Sequence, residues 1–148
     1  MSSRRKAREL ALKVLYQNDS MPHDGTEPLS TWKDTFKYLT DIMDIDKEEK
    51  KFAKELVEGT LKNIELIDPK ISEFSKHWKI SRISVVDRNI MRIACYEMLF
   101  SEKVPHAVSI DEAIELSKKY SATESKSFIN GVLDGICKDL QKKSKIKN

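Results

Sequence analysis

Two groups of residues in this chain have the types and spacing of a surface for single-stranded RNA. Phe128, Asn130 and Gly131 stand at the start of a predicted helix, where a ring can stack on a base. Four cations that can neutralise phosphates open the first predicted helix: Arg4, Arg5, Lys6 and Arg8. We expect this cluster to project away from the apolar stripe of its own helix. Together the two groups indicate RNA binding, which neither would indicate alone.

Other polar and aromatic residues allow two interpretations. Tyr16 lies two turns beyond the cations on nearly the same face, so it either edges the core or adds a second ring. Phe74 and Trp78 are expected to anchor the core. Asp87 is expected to cap a helix, and a polar contact to a base is the alternative. For Asn130, a poor helix former, we favour a buried hydrogen bond between helices.

The residue types of a metal or catalytic site are scattered along the chain. His23, His77 and His106 are not spaced as metal ligands, and four glycines cannot build a phosphate-binding loop. Cys95 and Cys137 lie in apolar helical stretches and are interpreted as small core residues. We therefore expect no metal, no cofactor and no enzyme activity.

Charge is distributed unevenly, although the net charge is only +3. Residues 1–13 and residues 138–148 are both basic, whereas the residues between them carry more acidic than basic groups. Basic ends favour a polyanion, and an acidic body favours a protein partner. No apolar run approaches the ~18 residues of a membrane span, and no signal peptide is evident, so a cytoplasmic location is expected.

Apolar residues recur with the 3.6-residue period of helices, and no strand pattern is present. We expect an all-α fold of about six or seven helices, divided near residue 80 into regions 1–80 and 81–148. The most apolar helix opens at Ser84 and should be central. Proline at 69 should interrupt a long helix, and a capping box should open another helix at Ser109. Arg88 and Arg92 are expected to pair with acids of that next helix: Asp111, Glu112 or Glu115.

Four blocks of the sequence resemble the NusB family of bacterial transcription antitermination factors. They are RRKARELA at 4–11, Trp78 with RISVVDRNIMRIA at 82–94, IDEAIEL at 110–116 and FINGVLD at 128–134. The resemblance implies two packed helical sub-bundles that bind the boxA element of ribosomal RNA leaders. It also implies a complex with NusE, a small-subunit ribosomal protein, and with other Nus factors on RNA polymerase; a homodimer is left open.

The resemblance further assigns RNA contacts position by position. These fall on Arg4, Arg5, Lys6, Arg8, Tyr16, Phe74, Asp87, Glu124, Ser125, Ser127 and Phe128. Phe74 replaces a common tyrosine, and Ser127 stands where lysine is frequent, although Lys126 lies beside it. The NusE surface is expected on the C-terminal sub-bundle.

Two alternatives stay open at this point. One is the NusB-like domain of an rRNA cytosine methyltransferase, which would require a catalytic half beyond residue 148. The other is a helical protein-interaction module without an RNA role, whose self-association would bury the arginine face. A salt-dependent RNA titration separates this second alternative from an RNA-binding factor.

Overall fold

The computed structural model describes residues 3–20, 31–76, 78–101 and 103–147. His23 and His77 therefore lie outside the described residues. The described chain confirms the all-α prediction. Its seven α-helices are α1 (Ser3–Ser20), α2 (Trp32–Ile42), α3 (Lys47–Lys62), α4 (Ile64–Phe74), α5 (Val85–Phe100), α6 (His106–Tyr120) and α7 (Ser125–Lys147), with a short 3-10 helix at Ile80–Arg82. None of the helices in these ranges is both long and apolar enough to cross a membrane.

Helix α5 is the centre of the fold, as its apolar residues on two faces predicted. Ile90, Met91, Ile93 and Cys95 are at most 1% exposed. The helix packs against α1, α3, α4, α6 and α7. One continuous apolar cluster joins residues of both predicted regions, from Ala7 to Ile136. The division near residue 80 stays a prediction.

Ion pairs fix α1 antiparallel to α5. Arg8, near the start of α1, pairs with Glu97 near the end of α5. Asp19, at the other end of α1, pairs with both Arg88 and Arg92. Arg92 also reaches Asp68 of α4, with nitrogen–oxygen distances of 2.8 Å.

The prediction that Arg88 and Arg92 pair with acids of α6 was therefore wrong. Both side chains leave α5 on the side that faces α1 and α4, and helical periodicity does not reveal which neighbour covers that side.

Two predicted helix boundaries were also wrong. The break after α3 falls at Asn63, whose N–H donates to the Gly59 carbonyl and whose own carbonyl accepts from the first turn of α4. Pro69 lies within α4, where it leaves one backbone bond unmade. Helix α6 opens directly after Pro105, so Ser109 is a buried position inside the helix rather than its cap.

The Asp19 carboxylate should make stability depend on pH. Burial raises the pKa of Asp19, but hydrogen bonds from Arg88 and Asn89 and the charge of Arg92 outweigh burial and lower it below 3.8. A carboxyl with a lowered folded-state pKa stabilises the fold above its unfolded value, and this contribution is lost as pH falls. We expect the free energy of unfolding to decline below about pH 4.

Urea unfolding at a series of pH values measures this decline. Asp19→Asn should flatten it, whereas Asp41→Asn, at an exposed position on α2, should leave it unchanged. Equal pH dependence in the wild type and Asp19→Asn would show that the Asp19 network contributes nothing.

Candidate nucleic-acid interface

Six of the residues predicted to bind RNA line one groove of about 620 Å³. The end of α4, residues 75–76 and 78–84, and the start of α5 form one side, and the first turns of α7 form the other. The six residues are Phe74, Asp87, Glu124, Ser125, Ser127 and Phe128. The fold thus brings together side chains that lie up to about fifty residues apart in the sequence. We call this cavity the RNA groove, because residues predicted to bind RNA line it.

Asp87 holds the two sides of the RNA groove together. Its backbone N–H donates to Ser84 Oγ, so Ser84 caps α5. Its carboxylate accepts hydrogen bonds from Ser121 Oγ at 2.7 Å and from Ser125 Oγ at 2.6 Å. The Asp87 side chain therefore ties the start of α7 to α5 and is not the cap that the sequence predicted.

Aromatic rings supply stacking faces along the RNA groove. Trp78 is 53% exposed, and its ring centroid lies 6.4 Å from that of half-buried Phe128 at a tilt of 55°. Phe74 lies against α7, and its Cδ1 stands 2.8 Å from where a Cβ on Gly135 would be. The prediction that Trp78 anchors the core was wrong. Trp78 follows α4 on an irregular surface segment, where no helix face carries it inward.

Charged groups complete the RNA groove. Arg82 and Lys76 are exposed at its rim, and no ion pair is found for either within the described part of the chain. Lys76 has φ 58°, the left-handed conformation that ends α4 and that glycine usually supplies. Glu124 exposes a carboxylate on the opposite side. The groove therefore offers rings to bases, a carboxylate to base amino groups and cations to phosphates. Sequence reasoning missed Arg82 and Lys76, which lie in no periodic pattern.

The structure does not bring the N-terminal cations to the RNA groove. Arg8 is 3% exposed and makes two bonds to the Glu97 carboxylate, at 3.0 and 2.6 Å. The prediction that it projects away from the core was wrong, because α1 packs between α3 and α5 and this face is covered. Glu97, the partner of Arg8, lies about 15 Å along α5 from Asp87 of the RNA groove, at 1.5 Å per residue.

The other three N-terminal cations lie nearer the surface but have contacts of their own. Arg5 donates two bonds to the Glu112 carboxylate of α6, and this bonding raises the pKa of Arg5. Lys6 donates to the Asp44 carbonyl at 3.1 Å. Arg4 lies over the Phe52 ring, 4.8 Å from its centroid. These contacts position the cations beside α3 and α6.

Tyr16 and Asn130 lie outside the lining of the RNA groove and are not part of the N-terminal cation cluster. Tyr16 is 43% exposed in a separate cleft of about 720 Å³ between α1 and α2, which Tyr38 and Tyr120 also line. Asn130 is exposed on α7, so the prediction of a buried hydrogen bond was wrong. Cys95 is buried as predicted, and burial raises the pKa of its thiol to about 12. At that pKa the thiol stays protonated near neutrality and does not act as a nucleophile.

Comparison with known proteins decides the family. The NusB family model matches residues 5–138. The chain belongs to the NusB family. The transcription antitermination protein NusB of Geotalea daltonii is 45% identical over 144 residues, covering 97% of this chain and 99% of that protein.

Solved NusB structures share the fold. A crystal form of T. maritima NusB has a TM-score of 0.75 and 37% identity, covering 91% of this chain and 90% of that chain. A structure of antitermination factors NusB and NusE in complex with dsRNA has a TM-score of 0.75 and 32% identity, covering 94% and 98%. The arrangement of helices described above is thus that of the NusB family.

Proposed function

We propose that this chain is a cytoplasmic transcription antitermination factor. It binds boxA-type single-stranded RNA of ribosomal RNA leaders together with NusE, and it acts by binding rather than by catalysis. With other Nus factors it supports read-through of terminators by RNA polymerase. Family membership supports this proposal, as does a related NusB that was solved with NusE and RNA.

The RNA groove is the observation that carries the proposal. It places two exposed or half-exposed rings, Trp78 and Phe128, beside the exposed carboxylate of Glu124 and the cations Arg82 and Lys76. Single-stranded RNA is recognised by stacking of splayed bases and by bonds to their edges.

The bound strand is proposed to continue from the RNA groove toward the N-terminal cations. Helix α6 connects the two regions, since Ser121 at its end bonds to Asp87 and Glu112 in its middle bonds to Arg5. Lys118 and Lys119 lie between them with side chains 52% and 57% exposed. Arg4, Arg5 and Lys6 then contact phosphates beyond the groove, whereas buried Arg8 supports α1 from within.

Removing the groove cations should weaken the salt dependence of RNA binding. Each phosphate neutralised on a single strand adds about 0.7 to the slope of log affinity against log salt. Arg82→Gln with Lys76→Gln should therefore flatten the slope by up to about 1.4. Lys62→Gln, at an exposed lysine in the last turn of α3, should change it little. Fluorescence anisotropy over a salt series measures the slope, and equal slopes in all variants would exclude these cations from the contact.

An RNA mobility-shift assay tests the proposed function itself. Wild-type protein should shift a boxA RNA more strongly than a scrambled RNA of equal length, and NusE should strengthen the shift. Failure to prefer boxA, with and without NusE, would contradict the proposal.

NusE should also bind in the absence of RNA. The candidate surface is an apolar groove of about 630 Å³ between α5, α6 and α7, beside exposed Phe100 and Val108. Calorimetry in RNA-free buffer measures this binding. Absence of both heat and co-elution would contradict a separate protein surface.

A further inference from the structure

The three glycines that the structure describes lie within helices, but only two of them are explained by packing. At Gly59 an added Cβ would collide with the ring of Tyr96. At Gly135 it would stand 2.8 Å from the ring of Phe74. At Gly131, apart from its chain neighbours and the adjacent backbone of α7, no atom of the described residues lies within 4 Å of that position. Packing within the described part of the chain therefore does not exclude a side chain at Gly131.

Glycine at position 131 lowers the stability of helix α7, and packing in the described part of the chain does not require it there. Gly131 lies in the second turn of a 23-residue helix, where glycine is about 1 kcal/mol less favourable than alanine. Its open side is the RNA groove, which it lines together with Phe128. Phe74 fills the notch that the next glycine, Gly135, leaves one turn later. Of these two glycines of α7, Gly131 is therefore the one whose missing side chain leaves space open toward the RNA groove.

We propose that Gly131 determines how closely RNA approaches α7, because a base or ribose packs directly on its backbone. A nucleotide stacked on Phe128 lies one helical turn from Gly131, so a methyl group there occupies space that the nucleotide needs. This assignment rests on the proposed function, since the ligand is the strand that the RNA groove binds. Glycine is the residue that permits close approach of a ligand to backbone.

Gly131→Ala and Gly131→Leu test this role with boxA RNA, in the presence of NusE. Both variants should melt at or above the wild-type temperature, because the helix gains propensity and the added atoms meet open space. RNA affinity should nevertheless fall, by roughly tenfold for alanine and by more for leucine, as expected for overpacking of a close contact. Asn130→Ala is the matched control, because the structure places Asn130 outside the lining of the RNA groove: the substitution also raises helix propensity but adds no atoms to the groove.

The outcomes separate this inference from the proposed function. If wild type binds boxA RNA and Gly131→Ala binds equally well, the role of Gly131 is overturned and the proposed function stands. A lower melting temperature for Gly131→Ala, or an equal loss of affinity in Asn130→Ala, also overturns that role. If wild type does not bind boxA RNA, the proposed function is wrong, and the role of Gly131 is overturned with it.

Discussion

Arg8→Ala is expected to destabilise the protein by about 3–5 kcal/mol, the cost of leaving a buried charge without its partner. Arg8 and Glu97 have side chains 3% and 1% exposed and share two hydrogen bonds. Removing the guanidinium leaves the Glu97 carboxylate buried without its counter-charge. Urea unfolding followed by circular dichroism measures the loss.

Two further variants separate the effect of burial on stability from the effect of charge. Arg5→Ala removes a bidentate arginine one turn earlier, but its side chain is 38% exposed and screened by solvent, so it should destabilise the protein much less than Arg8→Ala. The double variant Arg8→Met with Glu97→Leu should be more stable than Arg8→Ala, because no unpaired charge remains. Equal stability of Arg8→Ala and Arg5→Ala would contradict the buried pair.

The buried pair also changes how arginine variants should be interpreted. An Arg8 variant that loses RNA binding reports on the packing of α1 against α5 before it reports on phosphate contact. Arg5 and Lys6 keep partly exposed side chains and are the better probes of the N-terminal cations.

The fold was largely predictable from periodicity. The apolar stripe of α1 and the two apolar faces of α5 are local patterns, and both helices lie where these patterns placed them. The burial of Arg8 could not be predicted, because tertiary packing rather than local sequence decides which face of α1 contacts α5. For the same reason the partners of Arg88 and Arg92 could not be predicted, because Asp19 and Asp68 lie on other helices.

The candidate site was predictable only in part. Phe128 stood out because a ring at the edge of a helix stripe is half available for contact, and the structure leaves it half-buried. Trp78, Arg82 and Lys76 lie between α4 and α5, where the sequence has no period to assign a direction. Only the packing of α7 against α4 and α5 turns these residues and Phe128 toward one groove.

Phe128→Ala should weaken boxA RNA binding by about 1–3 kcal/mol, the usual contribution of one base stacked on an aromatic ring. The salt slope should stay nearly unchanged, because no phosphate contact is lost. Tyr38→Ala is the matched control, since its ring is 64% exposed on α2 and lies outside the RNA groove. Anisotropy titrations measure both affinities, after circular dichroism has shown that each variant is folded. Equal affinity in Phe128→Ala and wild type would exclude stacking on this ring.

Tryptophan fluorescence tests most directly whether RNA occupies the groove. The chain has two tryptophans: Trp78 lines the RNA groove, and Trp32 packs on α2 against Phe36. Trp32→Phe leaves Trp78 as the sole reporter, and Trp78→Phe leaves Trp32. Titration with boxA RNA should quench Trp78 as a base stacks beside it and should leave Trp32 nearly unchanged. If RNA binds Trp32→Phe, as shown by mobility shift, while Trp78 emission stays constant, the groove is not the RNA site.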